Sequence, residues 1–161
     1  MQQVVMVVDD NEDLRYVVQS ALVSRFDVTV VEAADGQQAL ARIANGLRPD
    51  VIISDFKMPN MDGFALTREL RKIGFQRPVI FMTGLRPELL IKEAFGLGGF
   101  DFVSKPLGEK FFEAVGNALA LVKLNWEVAP NGASSQAGIA KADAAKVEAT
   151  DVPQGSKTKA S

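Results

Sequence analysis

Two textures alternate along the chain. Short, nearly unbroken apolar runs, rich in β-branched residues, occupy residues 4–8, 28–31, 50–55, 79–82 and 100–104. Between them apolar residues recur at helical spacing. Leu14, Val17, Val18, Ala21 and Leu22 make one stripe, and Leu40, Ile43, Ala44 and Leu47 a second. Leu66, Leu70 and Ile73 make a third, and Phe111, Val115, Ala118, Leu119 and Val122 the last, ending near Trp126. The fourth helix is expected from Pro87 and Glu88, a favourable opening, to about Phe95. Breakers fall between the elements: Asn11-Glu12-Asp13 with its acid-rich first turn, Asp35-Gly36, Gly46, Gly74 and the run 96–99.

Apolar runs without strict alternation suit strands buried on both faces, as in a parallel sheet. Five such strands alternating with five helices predict an α/β fold, a doubly wound five-stranded parallel sheet of order 2-1-3-4-5 with right-handed crossovers. From about Val128 the composition turns to Ala, Ser, Gly, Lys, Thr and Pro, with apolar residues too sparse to bury a face. Residues 1–126 are therefore expected to form the folded domain, and 127–161 a flexible tail or linker.

Composition narrows the chemistry. Among 161 residues there is no cysteine and no histidine. Disulfides, thiolate or imidazole metal sites, cysteine nucleophiles and His–Asp triads are excluded within this chain. A net charge of −2 offers no electrostatic footprint for nucleic acid or anionic membrane. No basic leader and no apolar stretch near the ~20 residues of a membrane span are present, so a cytoplasmic location is expected.

The residues able to do chemistry stand at strand ends. Asp9 and Asp10 close the first run, Asp55 the third, Thr83 the fourth and Lys105 the fifth. In a parallel sheet these ends share one edge, where ligands of open α/β sheets bind. Each piece alone is ordinary: Asp-Asp as a solvated loop, Asp55 as a turn cap, Thr-Gly and Lys-Pro as turn chemistry. Their joint placement carries the signal. Three converging carboxylates repel unless a cation intervenes, and hard oxygen donors suit Mg2+. With Lys105 as a positive charge and Thr83 as a hydroxyl, the set suits phosphoryl transfer onto Asp55 as nucleophile.

At these residues the chain resembles the receiver domain of two-component response regulators, the CheY-like fold. The resemblance rests on Val-Val-Asp-Asp-Asn-Glu (7–12), Ile-Ile-Ser-Asp-Phe-Lys-Met-Pro-Asn-Met-Asp-Gly (52–63), Phe-Met-Thr-Gly (81–84) and Phe-Val-Ser-Lys-Pro-Leu (102–107), spanning about residues 3–124. It implies that Asp55 accepts a phosphoryl group from a sensor histidine kinase or histidine phosphotransfer protein. It implies Asp10, Asp55 and the Lys57 backbone carbonyl as Mg2+ ligands, with Asp9 acting through water. Thr83 and Lys105 would hold the phosphoryl group, and Phe102 would be the aromatic switch residue coupled to Thr83. The surface of helix four, strand five and helix five would then bind a downstream effector protein or a second copy on phosphorylation.

Five positions depart from the common pattern. Lys57 and Leu85 stand where the family tunes dephosphorylation, Phe102 lacks a tyrosine hydroxyl, and Gly98-Gly99 is a looser turn. No helix-turn-helix or catalytic segment follows Trp126, so output by protein–protein interaction is expected rather than DNA binding or enzyme turnover. Two alternatives compete: a pseudo-receiver docking module, and a Mg2+-dependent phosphatase with an aspartyl nucleophile. The first would require a degraded pocket. The second would want an acid or base at position 57 and a cap domain, where this chain has Lys57 and no cap.

Overall fold

A computed structural model of the chain describes residues 1–84, 90–105 and 107–128, with backbone alone at Ile91, Phe95 and 126–128. The elements run β1 (Gln3–Val8), α1 (Glu12–Arg25), β2 (Val28–Ala33), α2 (Gly36–Ala44), β3 (Val51–Asp55), α3 (Gly63–Lys72), β4 (Val79–Thr83), α4 (Ile91–Gly96), β5 (Asp101–Ser104) and α5 (Glu109–Val128). All strand pairs are parallel, and the sheet order is β2-β1-β3-β4-β5. Both the alternation and the strand order match the expectation from the apolar runs.

Every residue of β3 and β4 is buried, as a strand covered on both faces requires. Side chains of alternate residues feed two cores. One lies under α1 and α5 and is built on Val5, Val7, Ile53, Ile80 and Met82, with Val18, Leu22, Phe111 and Val115 above them. The other is built on Met6, Val8, Ile52, Val79 and Phe81, covered by Ile43, Phe64, Leu66, Leu70 and Ala94 from α2, α3 and α4. The period-two alternation of the strands thus sorts one apolar run into two opposed hydrophobic layers.

Three helices begin on side-chain caps. Asn11, Asp35 and Asp62 accept from the backbone N–H of Leu14, Gln38 and Ala65 at 3.1, 2.8 and 2.7 Å. Acidic caps and the acidic first turn of α1 also complement the helix dipole.

The helix stripes need correction in places. Val17 is 50% exposed, because α1 turns Val18 and Leu22 to the sheet and carries Val17 past the edge of that stripe. Ile73 is 53% exposed: α3 ends at Lys72, leaving Ile73 as its C-cap before Gly74 turns with φ 81°. Gly96 belongs to α4 rather than stopping it, and α5 runs past Trp126 to Val128. The predicted opening of the fourth helix at Pro87 and Glu88 lies outside the described residues, as do Leu85, Leu89 and residues 129–161 of the predicted tail, whose first two residues belong instead to α5.

Candidate functional site

The sheet register brings the predicted strand-end residues to one edge. Val8 pairs with Ser54, Asp55 with Met82 and Thr83 with Ser104, so Asp9, Asp55, Thr83 and Lys105 all emerge at the carboxyl ends. Carboxylate oxygens of Asp9, Asp10 and Asp55 lie within 4.8 Å of one another. Asp9 is 1% exposed, Asp55 8%, and Asp10 is open to solvent. The Lys105 ammonium reaches between the two buried acids, with Nζ 3.1 Å from Asp9 Oδ2 and 3.2 Å from Asp55 Oδ1. Its backbone N–H donates to the Thr83 carbonyl at 2.9 Å, which fixes the lysine to the end of β4.

The β1–α1 turn is held from several sides. The Asp9 N–H donates to Ala33 O of β2 at 3.2 Å, and Asp9 Oδ1 accepts the Asn11 N–H at 2.9 Å. Asn11 in turn caps α1, so the same turn that starts the helix orients the acid. The β3–α3 loop is equally constrained. Phe56 N–H donates to Met82 O at 2.9 Å, and Gly63 N–H to Phe56 O at 3.0 Å. A Cβ on Gly63 would lie 2.7 Å from the Asp55 carbonyl oxygen, so α3 can begin this close to Asp55 only on a glycine. Asn60 takes the left-handed conformation at φ 67°, which asparagine tolerates better than most residues. Met58 and Met61 fold this loop onto the second core.

The electrostatics follow from burial. The Asp55 carboxyl is pushed above its ordinary range of 3.8, first by desolvation and then by the charge of Asp9. Lys105 and the backbone N–H of Lys57 work the other way without cancelling the shift. For Lys105, burial opposes the ammonium, but hydrogen bonds and charge from Asp9 and Asp55 outweigh it and raise its value. Three carboxylates facing one ammonium leave two formal negative charges uncompensated, which one divalent cation would balance. The donors are all hard carboxylate oxygens, and one of them, on Asp10, faces solvent. This set could hold a hard divalent ion that keeps several of its waters.

Thr83 is buried at the end of β4, one residue past the partner of Asp55 in the register. Lys57 is exposed, and its described contact with the site is the N–H directed at the Asp55 carboxylate. Phe102 does not stand alone. Its ring packs on Phe81 at 5.1 Å and Phe64 at 6.3 Å, and Phe64 meets Phe56, the residue after Asp55, at 4.8 Å. A chain of aromatic rings therefore runs from the loop beside Asp55 to β5. Sequence reasoning missed Gly63, Phe64 and Phe81 as parts of this arrangement, because their roles depend on neighbours from other strands. It also missed Arg15, a cation on the core-facing stripe of α1 shared by Val18 and Leu22. That polar break in an apolar stripe was the available signal.

Comparison with known proteins agrees with the geometry. The response regulator receiver domain family matches residues 5–115. The protein CcdB of Bacillus subtilis is 35% identical over 116 residues, which cover 71% of this chain and 96% of CcdB. The DNA-binding transcriptional regulator NtrC of Salmonella typhimurium is 34% identical over 120 residues, covering 74% of this chain but 24% of NtrC. Among solved structures, the chemotaxis response regulator CheY4 of Vibrio cholerae superposes with a TM-score of 0.66 at 32% identity, covering 74% of this chain and 100% of that one. A receiver domain from Clostridium thermocellum gives 0.69 at 27% identity, covering 76% and 98%. With the sheet order, the strand-end acids and the lysine between them, this places the chain in the response regulator receiver domain family.

Proposed function

We propose that this chain is the phospho-accepting receiver of a two-component relay, with Asp55 as acceptor. The observation that carries the reading is the Lys105 ammonium lying between Asp9 and Asp55 in a cluster of three carboxylates. An oxygen of Asp55 attacks the phosphorus of a phosphohistidine on a sensor kinase or histidine phosphotransfer protein. The O–P bond forms as the P–N bond breaks, and its electron pair leaves with the imidazole. Lys105 holds positive charge where the phosphoryl oxygens arrive, and the Thr83 hydroxyl donates to one of them. Asp10, Asp55 and the Lys57 carbonyl would hold Mg2+, with Asp9 acting through water. Mg2+ bound there would offset repulsion between the acids and the incoming phosphoryl group.

Phosphorylation adds about −1.5 to −2 charges beside Thr83 and Lys105. Both side chains turn toward the new oxygens, and Phe102 moves into the space that Thr83 leaves. Because Phe102 has no hydroxyl, its response rests on ring packing against Phe81 and Phe64. The face formed by α4, β5 and α5 is the readout, offered to an effector protein or a second copy of the chain. The chain works as a signalling acceptor in the cytoplasm, without turnover of a substrate pool and without contacting DNA.

The test is incubation with acetyl phosphate and Mg2+, followed by intact mass, with Asp55→Asn alongside. A Mg2+-dependent gain of one phosphoryl group, absent in the variant, is expected. No gain by a folded wild-type chain would overturn the reading.

A further inference from the structure

The β1–α1 turn carries two of the three acids, and one side chain outside the acidic cluster grips it. Arg15 lies on the face of α1 that turns Val18 and Leu22 into the core. Its side chain is 13% exposed, an expensive place for a guanidinium unless its donors are satisfied. They are satisfied in a directed way. Arg15 Nη1 donates to the Asp9 backbone carbonyl at 2.8 Å, and Nε donates to Glu32 Oε2 at 3.0 Å. Glu32 sits on β2, next to Ala33, whose carbonyl accepts the Asp9 N–H at 3.2 Å. The peptide groups on both sides of the Asp9 Cα are thereby tied to β2, one directly and one through the Arg15–Glu32 pair. The Asp9 side chain, thus aimed, accepts from Asn11 N–H and Lys105.

We propose that Arg15, oriented by Glu32, is a positioning residue for the cation site: it sets the β1–α1 turn so that Asp9 and Asp10 face Asp55. This rests on the reading of that cluster as a Mg2+ site. A fork is needed because one head group must reach a carbonyl and a carboxylate at once, which a lysine point charge does poorly. Partners that orient metal ligands are worth about ten- to a hundredfold in affinity.

The test compares the full chain with Arg15→Met, Glu32→Gln and a control, Leu22→Val, which loosens the core under the same helix without touching the turn. Mg2+ binding is followed by calorimetry, and the amide resonance of Asn11 by NMR without metal. Arg15→Met is expected to weaken Mg2+ binding about tenfold and to shift the Asn11 amide, with Glu32→Gln moving both less in the same direction. Leu22→Val should lower the melting temperature and leave Mg2+ affinity unchanged. Wild-type affinity in Arg15→Met, or equal weakening in Leu22→Val, overturns the proposal and leaves Arg15 a structural residue. If Arg15→Met does not fold, Glu32→Gln against Leu22→Val decides by the same criteria. If the wild-type chain binds no Mg2+, the cation reading itself fails, and an unmoved Asn11 amide would separately refute the brace.

Discussion

At the scale of single residues, Asp55 is an acid kept where its charge is unwelcome. Desolvation and the neighbouring Asp9 raise its folded value above 3.8, so the folded chain binds this proton more tightly than the unfolded chain. The sign of the linkage follows: Asp55 contributes stability at low pH, and that contribution is lost as pH rises from 3.8 through the raised value. Thermal melts of the metal-free protein should therefore show Asp55→Asn more stable than wild type at neutral pH, with the gap closing in acid. Added Mg2+ should narrow it from the other side by stabilising wild type alone. Lys105→Met acts oppositely. Removing the cation leaves Asp9 and Asp55 facing each other, at a cost of about 1–3 kcal/mol by denaturant titration, reduced because the lysine is partly exposed. Asp9, Asp10, Asp55, Thr83 and Lys105 were legible in the sequence because each ends an apolar run. Gly63 was not, since it works through the absence of a side chain, and Arg15 showed only as a polar break in the apolar stripe of α1.

At the scale of elements, the start of α3 and the aromatic chain do the positioning. Gly63→Ala puts a methyl group 2.7 Å from the Asp55 carbonyl, so either α3 or the end of β3 must shift. A loss of about 1–3 kcal/mol is expected, together with weaker Mg2+ binding by calorimetry. Phe102→Ala removes one ring from the group with Phe81 and Phe64 and should cost about 2 kcal/mol, less than a fully buried phenylalanine. If the rings couple the acceptor loop to β5, phosphorylation should also stop perturbing the amides of β5 in that variant. Strands were easier to read than helix faces. An apolar run buried on both sides has one interpretation, whereas Val17 and Ile73 fit a helical stripe by count but lie beyond its edge or its end.

At the scale of the whole molecule, Val122 is the last buried member of either core among the described residues. The residues after Val128 are too poor in apolar side chains to bury a face, so a chain cut there is expected to melt at the same temperature and bind Mg2+ with the same affinity as the full chain. A drop in either would show that later residues support the fold. The relatives put this unit in different settings: the chain spans 96% of CcdB but 24% of NtrC. The sheet order was legible because five apolar runs alternate with five helical stretches. The aromatic chain was not, because it joins the β3–α3 loop, α3, β4 and β5 only after the sheet has formed.

If the proposed relay chemistry holds, Asp55 itself takes the phosphoryl group. An acyl phosphate is reduced by borohydride to the alcohol, whereas a free carboxylate is not. Treating the phosphorylated chain with borohydride and sequencing its peptides by mass spectrometry therefore marks the acceptor directly. Homoserine is expected at position 55, dependent on Mg2+ and on the phosphodonor. Homoserine at Asp9 or Asp10, or a phosphoryl group that resists borohydride, would contradict it.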